Sequence, residues 1–428
     1  MSRGWFCLTM ASVLLSSIAL AQDLTLGFVK TTTANNLAGG FTQNPNCIGL
    51  VNTGAGHAGT FLWNIPSIMH SSPGFVNPLC ISKIQISNGD VTDFGLDLGN
   101  SVAPNTKIEK SVSKDGNTAV LLYKNQGSNS DQIVVLRSNV PTVGSTFVVN
   151  TPSSNRKDIK VLSDGSAFIL FSINPDSSTK VRRFSTSGAI AWEINLQTSG
   201  LPNKLNLLSN ESRFILATTL RAYVFDATTG DLIYSSPLMF DAETNASISV
   251  SDGGSFVIAG RGKVYSFTPE NGAYRSEESD YGVTSDLTNN IATISRNGLR
   301  MAAIEVRDNL SSRLVIFERG SMLDGWQLDF ERIFSSTEGG LKAQNVSFLG
   351  DGNSLVVGLN LYSQLPNPVT ADIEVFKKNT LGDWVSAGTY NAPGALNSLG
   401  VLGQSKIVVM SGLSDGRTNL SVYSLRRR

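Results

Sequence analysis

Histidine and cysteine are scarce in this chain, and their scarcity limits the chemistry that it can carry. The sequence holds two histidines and three cysteines in 428 residues. A structural zinc site usually takes four cysteine or histidine ligands, and Cys7 lies in the leader described below. We therefore expect no zinc site of that kind, and no cofactor.

An excess of either charge is also missing. Lysine and arginine together number 34, as do aspartate and glutamate, so the formal net charge is +0. Proteins that bind nucleic acids or anionic membrane surfaces carry a basic surplus. The charge balance argues against both kinds of partner.

Long apolar runs are missing after the first twenty or so residues. Arg3, the apolar stretch 8–20 and the tripeptide Ala19-Leu20-Ala21 are typical of a secretory leader that is cleaved after Ala21. The apolar stretch is too short to span a membrane comfortably. The sequence therefore predicts a leader at residues 1–21, a secreted domain at 22–428 (periplasmic in a bacterium) and no membrane insertion.

Two cysteines, Cys47 and Cys80, remain after cleavage of the leader. In an oxidising compartment such a pair is more often bridged than reactive. We predict a disulfide between them; the alternative is two buried, unpaired thiols.

Short β-forming runs separated by turn residues dominate the rest of the chain. Residues 204–238 show four of them in order: Leu205–Leu208, Phe214–Leu216, Ala222–Phe225 and Leu232–Tyr234. Apolar runs rich in β-branched and aromatic residues and bounded by turn residues predict strands. Four such strands in succession form an antiparallel meander, the unit that repeats in a propeller.

A turn signal recurs between the first and second strands of these units. Complete or partial copies of Ser-Asp-Gly stand at 113–116, 163–165, 209–211, 251–254, 295–298 and 350–352, roughly 43 to 54 residues apart. Asp-Gly and Asn-Gly favour two-residue hairpins because glycine tolerates positive φ. The spacing lies in the range of propeller repeats.

A second signal places an aromatic residue shortly after the turn that precedes the outer strand. The fullest copy is Asp226-x-x-Thr229-Gly230 followed by Tyr234, and a shorter one is Ser187-Gly188 followed by Trp192. We expect these rings to pack between neighbouring sheets.

The Asp-x-x-Thr-Gly pattern at 226–230 resembles the repeat of quinoprotein-dehydrogenase-like propellers, and the Ser-Asp-Gly turns resemble those of WD-type propellers. The resemblance extends over most of residues 49–427 and implies a fold rather than an activity. Catalytic quinoproteins place adjacent cysteines beside the quinone, and this chain has no Cys-Cys pair.

These repeats predict an all-β fold, a single propeller of four-stranded antiparallel blades. The turns indicate eight blades, or seven if the first is irregular. The last blade, from Ala395, lacks a fourth strand, whereas Asp23–Lys30 is a strand without a blade. We expect the N-terminal strand to complete that blade and close the ring, since unpaired strand edges are avoided.

The leading functional hypothesis is a monomeric, non-catalytic scaffold that binds a protein or glycan partner through its loop-rich face. The alternative is a propeller enzyme with a central-channel site, either a quinone-dependent oxidoreductase or a hydrolase of sugars or lactones. Long loops on a rigid scaffold often hold recognition residues. The candidates in such loops are Glu277, Glu278, Asp280, Tyr281, Tyr362, Leu365, Pro366 and Pro368.

Asparagine sequons occur at five positions, a number that chance alone would produce. Asn210, Asn309 and Asn419 lie in or beside predicted turns and are candidates for glycosylation in a eukaryotic source. Asn345 lies in a predicted inner strand, so we expect it to be unmodified.

Overall fold

Strands account for all of the regular secondary structure in the described part of the chain. The computed structural model describes residues 24–34, 50–51, 61–64, 68–69, 79–85, 91–96 and most of 106–427. Within that last range it leaves out 114–115, 125–129, 138–139, 151–156, 175, 177, 240–246, 261, 283–290, 308–310, 336–339, 351, 363–367, 393, 403–404 and 413–417. No helix in the described residues is long and apolar enough to cross a membrane.

The strands of the first half of the chain form four-stranded antiparallel sheets in sequence order. After β1 (Leu24–Ala34), sheet 1 contains β2 (Leu50–Val51), β3 (Phe61–Asn64), β5 (Leu79–Gln85) and β6 (Val91–Leu96), while β4 (Ile68–Met69) pairs with β7 (Thr106–Lys107). Sheet 2 contains β8 (Glu109–Val112), β9 (Thr118–Lys124), β10 (Ser130–Arg137) and β11 (Val140–Asn150). Sheet 3 contains β12 (Lys157–Val161), β13 (Ala167–Ile173), β14 (Thr179–Ser185) and β15 (Ile190–Leu196). Sheet 4 contains β16 (Pro202–Leu207), β17 (Arg213–Thr218), β18 (Ala222–Asp226) and β19 (Leu232–Ser235), close to the four predicted runs.

The second half repeats the same arrangement. Sheet 5 contains β20 (Ile248–Val250), β21 (Phe256–Ala259), β22 (Lys263–Glu270) and β23 (Ala273–Asp280). Sheet 6 contains β24 (Ile291–Ile294), β25 (Arg300–Arg307), β26 (Ser311–Glu318) and β27 (Gln327–Phe334). Sheet 7 contains β28 (Gly340–Phe348), β29 (Ser354–Tyr362), β30 (Pro368–Lys378) and β31 (Trp384–Ala392).

Sheet 8 joins the two ends of the described chain. It contains β32 (Ala395–Leu402), β33 (Lys406–Gly412), β34 (Thr418–Arg427) and, as its outer strand, β1. The pairing runs from Leu24 opposite Arg427 to Ala34 opposite Thr418. The N-terminal strand therefore completes the last sheet as predicted, and it extends further than Lys30. First strands of consecutive sheets contact one another, and β2 contacts both β8 and β32; closure of a complete ring stays a prediction.

Apolar side chains fill the space between consecutive sheets from sheet 2 to sheet 8. Second strands are apolar on both faces because each face meets a neighbouring sheet: all seven residues of β13 are buried. Burying one large apolar side chain contributes roughly 1.5–3 kcal/mol.

The aromatic residues of the second turn signal lie in these interfaces, which confirms the expectation. The ring of Trp192 in sheet 3 stacks at 5.8 Å on Phe214 in sheet 4. Tyr234 in sheet 4 lies 5.4 Å from Tyr274 in sheet 5. Trp384 in sheet 7 donates from Nε1 to Asp329 in sheet 6 at 2.8 Å.

Outer strands carry an irregularity at a recurring place. The pairing of third with fourth strands shifts register after Arg183, Val224, Ile316 and Val375 in sheets 3, 4, 6 and 7. An extra residue in one strand of a pair is a β-bulge, which bends the strand and increases its twist.

The turns between first and second strands stand where the sequence indicates, but they are longer than two residues. In sheet 3, Leu162 N donates to Ala167 O at 2.9 Å and Gly165 N donates to Leu162 O at 2.9 Å. Equivalent bonds occur at Leu208, Ser295 and Leu349. Two-residue hairpins were therefore the wrong prediction here, although the need for a residue with positive φ was right: φ of Gly165 is 66°.

Deletion of residues 23–34 from the mature chain should lower the free energy of unfolding by several kcal/mol, because the deletion leaves β34 as an unpaired edge. The control protein begins at Gln22, and thermal unfolding compares the two. An unchanged melting temperature would show that β1 does not support sheet 8.

Two glycine substitutions should separate backbone strain from steric overlap. Gly165 (φ 66°) and Gly272 (φ 82°) both adopt a conformation that disfavours alanine, which costs about 1–2 kcal/mol. A Cβ at Gly165 would also lie 2.2 Å from Thr118 Oγ1, whereas a Cβ at Gly272 meets nothing within 4 Å. Gly165→Ala should therefore lower the free energy of unfolding in urea by about 1–3 kcal/mol more than Gly272→Ala. Equal losses would contradict the close packing at Gly165.

Candidate binding site at the turn face

The first strands of sheets 2 to 7 end at a common cavity of about 320 Å³. Its walls are the last residues of these strands and the turns that follow them. We call it the turn-face cavity, because it opens on the side of the sheets where first and second strands connect.

One strand position supplies a polar residue from each of six consecutive sheets. Two residues before the turn stand, in chain order, Ser111, Lys160, Asn206, Ser249, Thr293 and Ser347, and all six line the cavity. The next residue in each strand is apolar, for example Val161 after Lys160 and Ile294 after Thr293. This repeated polar–apolar pair was missed in the sequence, although it precedes every turn that the sequence analysis identified in these sheets.

Hydrogen bonds between neighbouring sheets hold the cavity wall together. Val161 N donates to Ser111 Oγ at 3.0 Å, and Asn206 Nδ2 donates to the carbonyl of Ile248 at 3.0 Å. Ile294 N donates to Ser249 Oγ at 3.2 Å. Because these bonds join separate sheets, they fix the spacing of the lining residues.

Glu211 occupies the turn position that glycine fills in the neighbouring turns. Its φ is 56°, a conformation that costs a residue with a side chain about 1–2 kcal/mol. Its carboxylate accepts bonds of 2.7 and 2.8 Å from Ser163 N and one of 2.7 Å from Ser163 Oγ. Glu211 therefore adopts an unfavourable backbone conformation, and its side chain links the turn of sheet 4 to the turn of sheet 3.

The cavity wall carries charges of both signs. Lys110, Lys160 and Arg296 are its cations, and Glu211 and Asp252 are its carboxylates. Arg296 Nε forms an ion pair with Asp252. Burial lowers the pKa of Lys110 to about 8 and also lowers the pKa of Lys160. In both cases a nearby carboxylate acts to raise the pKa, but burial has the larger effect.

A buried carboxylate supports the wall next to Lys160. Asp158 is 3% exposed; its Oδ1 accepts from Ile159 N at 2.9 Å and its Oδ2 accepts from Leu205 N at 2.9 Å. Asp158 thus joins β12 to β16, and it is the main cause of the raised pKa of Lys204.

The structure places the predicted acidic loop elsewhere. Glu277, Glu278 and Asp280 belong to the outer strand β23, so their assignment to a loop was wrong. Glu278 pairs with Lys263 at 2.8 Å. Tyr281 is 2% exposed and donates its hydroxyl to Gly260 O at 2.8 Å, so its ring belongs to the core rather than to a surface.

Other predicted residues lie partly outside the described chain. Tyr362 is the last residue of β29 and Pro368 the first of β30, so neither backbone is in a loop, while Leu365 and Pro366 lie outside the described residues. The leader and Cys47 also lie outside, and Cys80 is in β5. The disulfide stays a prediction.

The glycosylation candidates differ in their surroundings. Asn210 is exposed in a turn, and its Oδ1 accepts from Ser212 Oγ at 2.9 Å. Asn419 is the second residue of β34 and is 3% exposed, so the prediction that it is available for modification was wrong. Asn345 is in the first strand β28 as predicted, and Asn309 lies outside the described residues.

The described fold is that of a β-propeller, and WD40 and other propeller domains of known structure are similar to it over most of their length. They are the WD40 domain of SCAP from fission yeast (TM-score 0.55, 8% identity, 94% of this chain and 98% of that one) and the propeller of Dos1 (0.53, 13%, 93% and 95%). The C-terminal WD40 domain of Sif2 also matches (0.53, 14%, 85% and 97%). At these identities the likeness concerns the fold alone. No family model and no curated protein matches the sequence.

The pKa of Lys110 predicts a pH-dependent effect on stability. The folded pKa of about 8 lies below the ordinary 10.5, so between these values the unfolded chain binds more protons and stability rises with pH. Lys110→Met removes the charge and should melt above the wild type at pH 7, with a difference that shrinks as the pH approaches 10. Lys110→Arg keeps its charge and should show no gain at either pH. A constant difference for Lys110→Met would contradict the lowered pKa.

Proposed function

We propose that this protein is a secreted, non-catalytic β-propeller that binds a glycan at the turn-face cavity. The observation that supports this most is the convergence of six polar residues from six consecutive sheets on one cavity of about 320 Å³. Small-ligand sites of this size combine an apolar wall with a few polar groups that orient the ligand.

The lining chemistry suits a sugar. Hydroxyl groups of Ser249 and Thr293 and the amide of Asn206 both donate and accept hydrogen bonds, as the hydroxyls of a sugar ring require. Apolar residues such as Leu207 and Phe348 stand beside them in the wall and offer contact to the C–H faces of a ring.

A protein partner on the loop-rich face is the competing proposal. A stable protein interface covers roughly 800 Å² on each partner, so such a partner would need a broad surface rather than a cavity. The residues proposed for that face, Tyr362, Leu365, Pro366 and Pro368, lie at or beyond the ends of β29 and β30, on the connection between the second and third strands of sheet 7.

A glycan array probed with the labelled mature chain tests the proposal. Ser347→Phe should fill the cavity and abolish binding, since Ser347 lines it and the one bond of its hydroxyl to the described residues is a weak one of 3.5 Å to Phe348 O. Ser386→Phe is the matched control, because Ser386 is exposed on the outer strand β31 of the same sheet, and it should bind like the wild type.

Two results would count against this assignment. The first is that no glycan binds. The second is that Ser347→Phe retains binding while Tyr362→Ala loses it, which would place the partner on the opposite face. Melting temperatures of all variants show whether each remains folded.

A further inference from the structure

The carboxylates of the turn-face cavity are already engaged by the protein. Glu211 accepts three hydrogen bonds from Ser163, and Asp252 pairs with Arg296. Each therefore has a protein donor that holds it in place.

Lys160 differs from these groups. It lines the cavity and is half-buried, and among the described residues no carboxylate lies within ion-pair distance of its ammonium. The carboxylates of Asp158 and Glu109 both act on the Lys160 ammonium electrostatically. Asp158 directs its oxygens to the backbone of Ile159 and Leu205 and lies 3.6 Å from Lys204. An ammonium withdrawn from water without a close partner costs free energy that an anion in the cavity would offset.

The two sheets that do not line the cavity have no acidic residue to offer in their first strands and the turns that follow. No aspartate or glutamate occurs between residues 24 and 89, which include β1 to β5, or between residues 384 and 414, which include β32 and β33. The sequence of these segments therefore gives Lys160 no further carboxylate.

We propose, resting on the proposed glycan function, that the turn-face cavity selects a sugar with an anionic substituent and that Lys160 binds the anion. Lys110 adds a further cation to the same wall, whereas the charge of Arg296 is balanced by its ion pair with Asp252. The shared chemistry is an anionic oxygen group on a sugar ring; a carboxylate, as in a uronic acid, and a phosphate ester both provide it.

Titration calorimetry with a charged sugar and its neutral twin tests this selectivity. The probes are glucuronate, glucose 6-phosphate and glucose, with inorganic phosphate to detect binding of a free anion. At least one charged sugar should bind the wild type about tenfold or more tighter than glucose, in line with a hydrogen bond to a charged group. Sodium chloride should weaken that preference.

Variants connect the preference to Lys160. Lys160→Met should remove most of the preference for the charged sugar over glucose, and Lys160→Arg should restore that preference. Lys263→Met is the control, because Lys263 pairs with Glu278 and belongs to the third strand of sheet 5. It should behave like the wild type.

The outcomes separate this inference from the proposed function. Equal affinity for charged and neutral sugars, or an unchanged preference in a folded Lys160→Met, overturns the anion inference and leaves glycan binding in place. Binding of phosphate alone as tightly as glucose 6-phosphate also overturns it, since the sugar would then contribute nothing. If no sugar binds and the glycan array is blank, both fail together.

Discussion

Each sheet must bury two faces, and the rest of this structure depends on that requirement. The second strands are apolar on both faces: every residue of β13, from Ala167 to Ile173, is buried. A sheet of this kind cannot be stable alone in water, because both of its apolar faces would be exposed. Consecutive sheets bury each other's apolar faces, and apolar clusters lie between them from sheet 2 to sheet 8. In a similar way, the pairing of β1 with β34 covers a strand edge that would otherwise be unpaired.

The same requirement produces the turn-face cavity. Second and third strands pack closely because their side chains are large and apolar, whereas the ends of the first strands carry short or charged side chains that leave space between them. Asn206 and Ser249 satisfy the backbone of the next sheet as well as facing the cavity. These lining residues therefore hold neighbouring sheets together and also face a ligand in the cavity. A ligand would meet groups whose positions are already fixed.

The sequence predicted the meander and the interface aromatics, since those depend on local signals that repeat. It also predicted the N-terminal pairing, because the last blade lacked one strand and the N-terminus had one to spare. The prediction was wrong for residues whose burial, or whose place in a strand, the apolar pattern of the sequence does not show. Residues 277–280 have no apolar alternation because β23 is an outer strand with a mostly exposed face, so their acids suggested a loop. Tyr281 next to them is fully enclosed. Asn419 stands beside predicted turn residues, yet it is buried near the start of β34. The cavity was not predicted because its lining comes from a short segment of each of six sheets, and these segments lie far apart in the sequence.

The bulges of the outer strands have a consequence for behaviour in concentrated solution. A sheet edge with a regular row of free N–H and C=O groups can template a strand from another molecule, and such templating begins fibril growth. In sheets 3, 4, 6 and 7 the outer strand is bent where its pairing with the third strand shifts register. A second molecule could match only part of each bent edge in register. We therefore expect these bulges to reduce edge-to-edge association between molecules at high concentration.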